Sequence, residues 1–70
     1  MKEQIIWTGE KDDLTAKVGK YTLRVEQMNK RNWWYAVYLN GNEVDSGNAF
    51  PLSVAKYLAI ESMKEQELKD

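Results

Sequence analysis

Residues 14–25 read LTAKVGKYTLRV, and this stretch decides the fold because it contains two alternating segments around a two-residue turn. Apolar side chains occupy every second position on both sides of the turn at residues 19–20, which is the pattern of a half-buried strand. A two-residue loop with glycine first is typical of a type II′ turn. That turn pairs Val18 with Tyr21, so apolar residues meet across the hairpin. The stretch therefore predicts an antiparallel hairpin with one apolar face.

Two further turns extend the hairpin into a meander with the same apolar face. A three-residue loop at residues 29–31 aligns Leu23 with Val37. Residues 40–41 are Asn-Gly, the strongest short hairpin signal, because a type I′ turn needs two residues with positive φ. This second turn aligns Val37 with Val44. A slip of one residue would move a whole strand's side chains to the other face, so the agreement of the three turns supports the register.

A change of period then predicts one helix at the C-terminal end. Gly47-Asn48 interrupts the strand pattern, and Pro51 suits the first position of a helix. From Leu52 onward the apolar residues recur at the 3.6-residue period of a helix. The predicted fold class is α+β, a four- to five-stranded antiparallel β-meander with one C-terminal α-helix packed on one face, in a single domain of residues 1–70. The predicted strands span residues 4–8, 13–18, 21–28, 32–39 and 42–48, and the predicted helix spans about residues 51–67.

The register and the helix period together predict a core on one side of the sheet. Trp33 and Trp34 are neighbours in a strand, so alternation places them on opposite faces. We expect Trp33 in the core and Trp34 outside it. The residues expected in or near the core are Trp7, Leu14, Ala16, Val18, Tyr21, Leu23, Val25, Trp33, Tyr35, Val37, Leu39, Val44, Phe50, Leu52, Ala55, Leu58, Ala59 and Met63.

The composition excludes several classes of enzyme and metal site. The chain contains no histidine and no cysteine, which excludes a catalytic triad, a thiolate nucleophile and a zinc site of the usual kind. The acidic segment 10–13, EKDD, lacks the ligand spacing of a calcium loop and is interpreted as a solvated turn. Ser46, Ser53 and Ser62 have no base to activate them and are interpreted as turn, cap or surface residues. We therefore expect no enzyme activity, no catalytic residue, no cofactor and no metal.

Charge and hydropathy give expectations about location and partners. The net charge is −1, from 10 basic and 11 acidic residues, and this balance gives no strong attraction to nucleic acid or to an anionic membrane. The apolar stretches are a few residues long, far short of a membrane span. The first residues also lack the apolar run of a signal peptide. The sequence therefore predicts a cytoplasmic protein with no membrane partner.

The face of the predicted sheet that the helix leaves uncovered holds the candidate binding residues. Trp34 and Tyr38 flank Ala36 on one strand, and Arg24 lies opposite Ala36 on the next strand. Exposed Trp, Tyr and Arg side chains are the composition of interface hot spots, and Lys17 completes the candidate set. The side chains expected on this face are Thr15, Lys17, Thr22, Arg24, Glu26, Trp34, Ala36, Tyr38, Glu43 and Asp45.

Four spaced motifs resemble those of short uncharacterised proteins that phages and prophages encode. The motifs are Leu23-x-Val25, Trp33-x-Tyr35-x-Val37, Asn40-Gly41-x-x-Val44-x-x-Gly47 and Ala55-Lys56-x-x-Ala59. Their order is also similar to that in the N-terminal arm-type domain of tyrosine integrases and in the plant AP2 domain, which bind DNA through the open face of the sheet. This chain lacks their strongly basic sheet face. The resemblance to phage proteins implies stoichiometric binding to a host protein, such as a CRISPR effector of host defence, in the cytoplasm of a bacterial cell.

Three functional hypotheses stay open at the level of sequence. The first is the stoichiometric binding of a host protein. The second is a nucleic-acid-binding module, in which the two aromatic residues of the uncovered face stack on bases while Lys17 and Arg24 contact phosphates. The third is a structural or assembly protein that works as a homodimer or larger homo-oligomer. The outer side of the helix is the competing contact surface, with Tyr57, Glu61 and Lys64.

Overall fold

The computed structural model describes residues 5–69 and contains a five-stranded antiparallel sheet with one helix packed against it. The strands lie in the sheet in chain order, each paired with the next. The elements are β1 Thr8–Glu10, β2 Asp13–Val18, β3 Tyr21–Asn29, β4 Asn32–Leu39, β5 Asn42–Ala49 and α1 Leu52–Lys69. α1 contacts β3, β4 and β5. The predicted α+β meander with a C-terminal helix is confirmed.

The registers of the central strands are the predicted ones. Every predicted pair across the β2–β3 turn is observed, and Leu23 pairs with Val37 between β3 and β4. The loop that joins β3 to β4 is shorter than the predicted three residues, because only residues 30–31 lie outside the strands. An irregularity at Met28 absorbs the difference, so the apolar face stays aligned.

The predicted pairing of Val37 with Val44 is wrong, because β5 contains a bulge. The turn before β5 has the predicted positive φ values, 53° at Asn40 and 85° at Gly41. One extra residue in β5 then shifts the register, so that Val37 pairs with Asp45 and Val44 falls between two registered pairs. Val44 is 37% exposed and contributes nothing to the core.

The predicted first strand, residues 4–8, is also wrong. Residue 4 lies outside the described residues, residues 5–7 have no regular structure, and β1 begins at Thr8. Gly9 is the residue that allows pairing at this place. It has a φ of +123°, and a Cβ atom on it would overlap the carbonyl oxygen of Asp13. The apolar residues 5–7, on which the predicted first strand was based, thus lie just before β1.

The helix begins one residue later than predicted and ends at Lys69. The carbonyl oxygen of Pro51 accepts hydrogen bonds from the N–H groups of Val54, at 3.0 Å, and Ala55, at 3.2 Å. Pro51 therefore occupies the capping position before the helix instead of its first position. Ala55 and Ala59 are fully buried, and their small side chains let α1 approach the sheet closely.

The core lies between α1 and the side of the sheet that faces it. Trp7 is partly buried against this core from the segment before β1. Phe50 was predicted in the core but is 52% exposed. Ala49, which packs against the core, is the last residue of β5, and Phe50 follows it in the bend before α1. The buried hydrophobic residues are Ala16, Val18, Tyr21, Leu23, Val25, Trp33, Ala36, Val37, Ala55, Ala59 and Met63.

Candidate functional site

We term the side of the sheet that α1 leaves uncovered the open face. The observed pairing defines its members, because directly opposite residues on neighbouring strands point to the same side. Four of the five predicted site residues are accessible on it, and the fifth, Ala36, lies on it but is buried. The residues of the open face are Thr8, Glu10, Asp13, Thr15, Lys17, Thr22, Arg24, Glu26, Trp34, Ala36, Tyr38, Glu43, Ser46 and Asn48.

Arg24 lies at the centre of the open face and is held in place by its neighbours. Its Nη2 atom donates to both carboxylate oxygens of Asp13, at 3.1 and 3.3 Å, and lies 3.8 Å from the carboxylate of Glu26. Its guanidinium carbon lies 5.9 Å from the ring centroid of Trp34, within the range of a cation–π contact. The hydrogen bond to Asp13 raises the pKa of the guanidinium above its usual value. The cation is therefore oriented before any partner arrives.

The two aromatic residues of the open face are half-buried, less exposed than the sequence predicted. Trp34 and Tyr38 flank Ala36, which is 0% exposed although it belongs to the open face. Its neighbours on this face are these two rings, Arg24 and Ser46, so larger side chains surround it on the sheet. Ala36 is therefore the floor of the site, and its contact with a partner stays a prediction.

Lys17 lies at one margin of the open face. It pairs with Thr22, which in turn pairs with Tyr38, so the cation is two strands away from the nearer aromatic ring. It is exposed. The structure therefore brings Trp34, Tyr38 and Arg24 together and leaves Lys17 in the rim.

The open face carries more negative than positive side chains, as the predicted face did, and the observed excess is larger than the predicted one. Its two cations are Lys17 and Arg24. Its carboxylates are Glu10, Asp13, Glu26 and Glu43. The predicted face had three carboxylates; the structure adds Glu10 and Asp13 to it and places Asp45 on the opposite side of the sheet.

Asp45 was predicted on the open face but lies on the opposite side, beneath α1. The bulge in β5 turns its side chain toward the helix, where its carboxylate accepts a hydrogen bond from the Oγ atom of Ser62. Ser62 is 7% exposed, so its interpretation as a turn, cap or surface residue is wrong. Burial and the nearby Asp45 raise the pKa of Tyr35 above its usual value. This polar contact joins β5 to α1 and belongs to the structure of the core, not to the open face.

The acidic segment 10–13 is only partly a turn. Residues 11–12 form the turn between β1 and β2, whereas Glu10 and Asp13 are strand residues and lie directly opposite each other. The backbone also uses this segment, because the N–H of Gln27 donates to the carbonyl oxygen of Asp12 at 2.9 Å. Within residues 5–69, no three acidic side chains converge in a way that could hold a metal ion.

The outer side of α1 is the second exposed surface that the sequence singled out. Tyr57 is 60% exposed, and the carboxylate of Glu61 lies 3.6 Å from the Nζ atom of Lys64. Both charged side chains are largely in water, where such a pair contributes little to stability. This surface has one aromatic ring and balanced charges, in contrast to the paired aromatic rings and excess carboxylates of the open face.

Comparison with known proteins gives no relative for this fold. The chain matches no protein-family model, no curated protein sequence and no solved structure. Among residues 5–69, no helix is long and apolar enough to cross a membrane. The functional argument therefore depends on the geometry of the open face.

Proposed function

We propose that this protein is a small binding module that occupies the surface of another protein, one copy to one copy, through the open face. The observation that carries the proposal is the arrangement of Arg24, which Asp13 holds against the ring of Trp34 beside Tyr38. Trp, Tyr and Arg side chains that cluster at the centre of a surface are the usual carriers of binding energy in protein interfaces.

The fixed geometry of this centre favours tight recognition. A side chain that is already ordered loses little conformational freedom when a partner binds. Arg24 has two hydrogen bonds and a ring contact, and Trp34 and Tyr38 are half-buried around the floor at Ala36. A partner would therefore meet a preformed apolar centre with a charged rim around it.

The partner that we propose is a host protein, and the proposed outcome is stoichiometric inhibition. The resemblance of the spaced motifs to phage and prophage proteins supports this part of the proposal. A component of host defence, such as a CRISPR effector, is the candidate that the resemblance favours. A chain of 70 residues can act in this way because occupation of a functional surface requires no chemistry of its own.

The charges of the open face favour a protein over a nucleic acid. Four carboxylates and two cations would repel a phosphate backbone. One of the two cations, Arg24, is moreover already paired with Asp13. The stacking of bases on Trp34 and Tyr38 would have to overcome this repulsion at low salt, where it is strongest.

Capture from a bacterial lysate, followed by mass measurement of the purified complex, tests the proposal. The immobilised wild type should retain a protein that Trp34→Ala loses and that the helix variant Tyr57→Ala retains. The native mass of the complex should correspond to one copy of each chain. A complex that a nuclease dissolves would support the nucleic-acid module instead, and a mass of two or more copies of this chain alone would support a homo-oligomer.

A further inference from the structure

We infer that the partner meets the open face with a basic segment of protein, whose arginine or lysine side chains contact the carboxylates around Trp34 and Tyr38. This inference rests on the proposed function and adds the chemistry of the partner to it. The sheet holds carboxylates directly opposite one another, and this arrangement lowers the stability of the sheet.

One row of the open face places like charges against each other. Glu10 lies directly opposite Asp13, and Asp13 lies directly opposite Glu26. Like charges at such positions destabilise a sheet. Arg24 relieves part of the repulsion, since it contacts Asp13 at 3.1 Å and Glu26 at 3.8 Å. Arg24 contacts two of the three carboxylates of this row, and Glu10 lies beyond them opposite Asp13. Three carboxylates and one cation leave this end of the face negative, and cations from a partner would complement it.

The two aromatic rings each have a carboxylate directly opposite. Glu26 pairs with Trp34 between β3 and β4, and Glu43 pairs with Tyr38 between β4 and β5. An aromatic ring attracts a cation by its quadrupole, and a neighbouring carboxylate adds a charge-assisted hydrogen bond. The aliphatic stem of a lysine or arginine can pack on the same ring while its head reaches the carboxylate. Trp34 with Glu26, and Tyr38 with Glu43, thus each combine a ring and a carboxylate that suit a long basic side chain.

The same charges argue against two other occupants. A second copy of the chain would bring an identical open face in a two-fold contact, so two surfaces with a net negative charge would repel each other. An acidic or phosphate-bearing ligand would meet the same repulsion. A basic protein segment is the occupant that relieves the charge of Glu10, Glu26 and Glu43 and also covers the rings.

A titration of isotope-labelled protein, followed by amide shifts, tests this inference with defined probes. The probes are a short blocked peptide of alternating arginine and leucine, a matched peptide with glutamate in place of arginine, and an oligothymidylate. The arginine peptide should shift amides on the open-face strands, and added salt should weaken its binding because the contacting charges are exposed. Glu26→Gln plus Glu43→Gln should weaken this binding at least about tenfold at low salt. The helix variant Glu65→Gln plus Glu67→Gln removes the same charge from exposed positions of α1 and should bind as the wild type does.

Four outcomes would overturn the inference. These are equal binding of the glutamate peptide, stronger binding of the oligothymidylate, shifts confined to α1, or no shift by the arginine peptide at low salt. Binding measurements with the captured natural partner show whether only the inference about its basic segment is wrong or whether the proposed function is wrong too. If the captured protein depends on Trp34 but binds the Glu26→Gln plus Glu43→Gln variant as tightly as the wild type, the basic chemistry is wrong and the proposed function stands. If Trp34→Ala also leaves its binding unchanged, the proposed function is wrong as well.

Discussion

The helix-covered face and the open face belong to the same five strands but hold their side chains in different ways. On the covered face, Leu23, Val25 and Val37 are fully buried between the sheet and α1. On the open face, charged side chains surround two half-buried rings. Trp33 and Trp34 are adjacent in β4 and belong to different faces. The comparison indicates that one strand can supply the core with one set of residues while the alternate set stays accessible for the recognition that we propose.

The largest expected difference between the faces comes from truncation of the two neighbouring tryptophans. Trp33 is 6% exposed in the core, so Trp33→Ala should lower the free energy of unfolding by about 3–5 kcal/mol. Trp34→Ala removes a half-buried ring whose loss opens no core cavity, and it should cost much less. Urea or thermal unfolding of both variants measures the difference. If Trp34→Ala lowered the free energy of unfolding more than Trp33→Ala does, the assignment of the two residues to the covered and open faces would be wrong.

A smaller loss is expected where β5 meets Tyr35 on the covered face. A Cβ atom at Gly47 would lie 2.8 Å from the hydroxyl oxygen and 2.9 Å from Cζ of Tyr35. Gly47→Ala should therefore destabilise the protein by about 1–3 kcal/mol through overpacking. Tyr35→Leu in the same chain should recover part of this loss in a double-mutant cycle. The neighbouring open-face variant Asn48→Ala should be close to neutral, and an equal loss there would contradict the comparison.

Two serines in different environments provide a third contrast. Ser62→Ala removes the hydroxyl that donates to Oδ2 of Asp45 beneath α1, whereas Oδ1 keeps the backbone N–H of Ser46 as its donor. The loss of one donor to a part-buried carboxylate should cost about 1–2 kcal/mol. Ser46→Ala changes an exposed side chain of the open face and should change stability by less than about 0.5 kcal/mol. Equal effects in chemical unfolding would show that the contact between β5 and α1 contributes nothing.

The smallest expected effect is a dependence of stability on alkaline pH. Folding raises the pKa of Tyr35 above its unfolded value of about 10, through burial and the nearby Asp45. The folded state therefore favours the neutral phenol. The stabilisation that this preference adds to the free energy of unfolding is complete below about pH 10 and is lost as the pH rises through the folded pKa. Tyr35→Phe should flatten the decline of unfolding free energy above about pH 10, whereas exposed Tyr57→Phe should not. An identical decline in wild type and Tyr35→Phe would contradict this origin.

Local rules predicted the parts of the fold that depend on neighbouring residues. Alternation separated Trp33 from Trp34, and the glycine-containing turn at residues 19–20 aligned Val18 with Tyr21, because turn type and pleat act over a few residues. The bulge at Val44 could not be predicted in this way. It turns Asp45 toward Ser62, and these two residues come from different elements.

The candidate site was predicted in composition but not in environment. Alternation and turn register placed Trp34, Tyr38 and Arg24 on one face, and the structure places them together. The burial of Ala36 depends on the sizes and directions of side chains from two strands, which periodicity does not describe. The hydrogen bonds from Arg24 to Asp13 were not predicted, because segment 10–13 was interpreted as a turn and the first strand was placed too early in the chain.

The role of the open face in recognition is tested most directly by the dissociation constant of the captured partner. Two double variants are compared, with folding verified in both: Trp34→Ala plus Tyr38→Ala on the open face, and Tyr57→Ala plus Glu61→Ala on α1. The open-face pair should lose at least about 2 kcal/mol of binding free energy, roughly a 30-fold increase in the dissociation constant, and the helix pair should lose little. Unchanged affinity in the open-face pair would contradict the account, and a loss confined to the helix pair would place the binding site on α1.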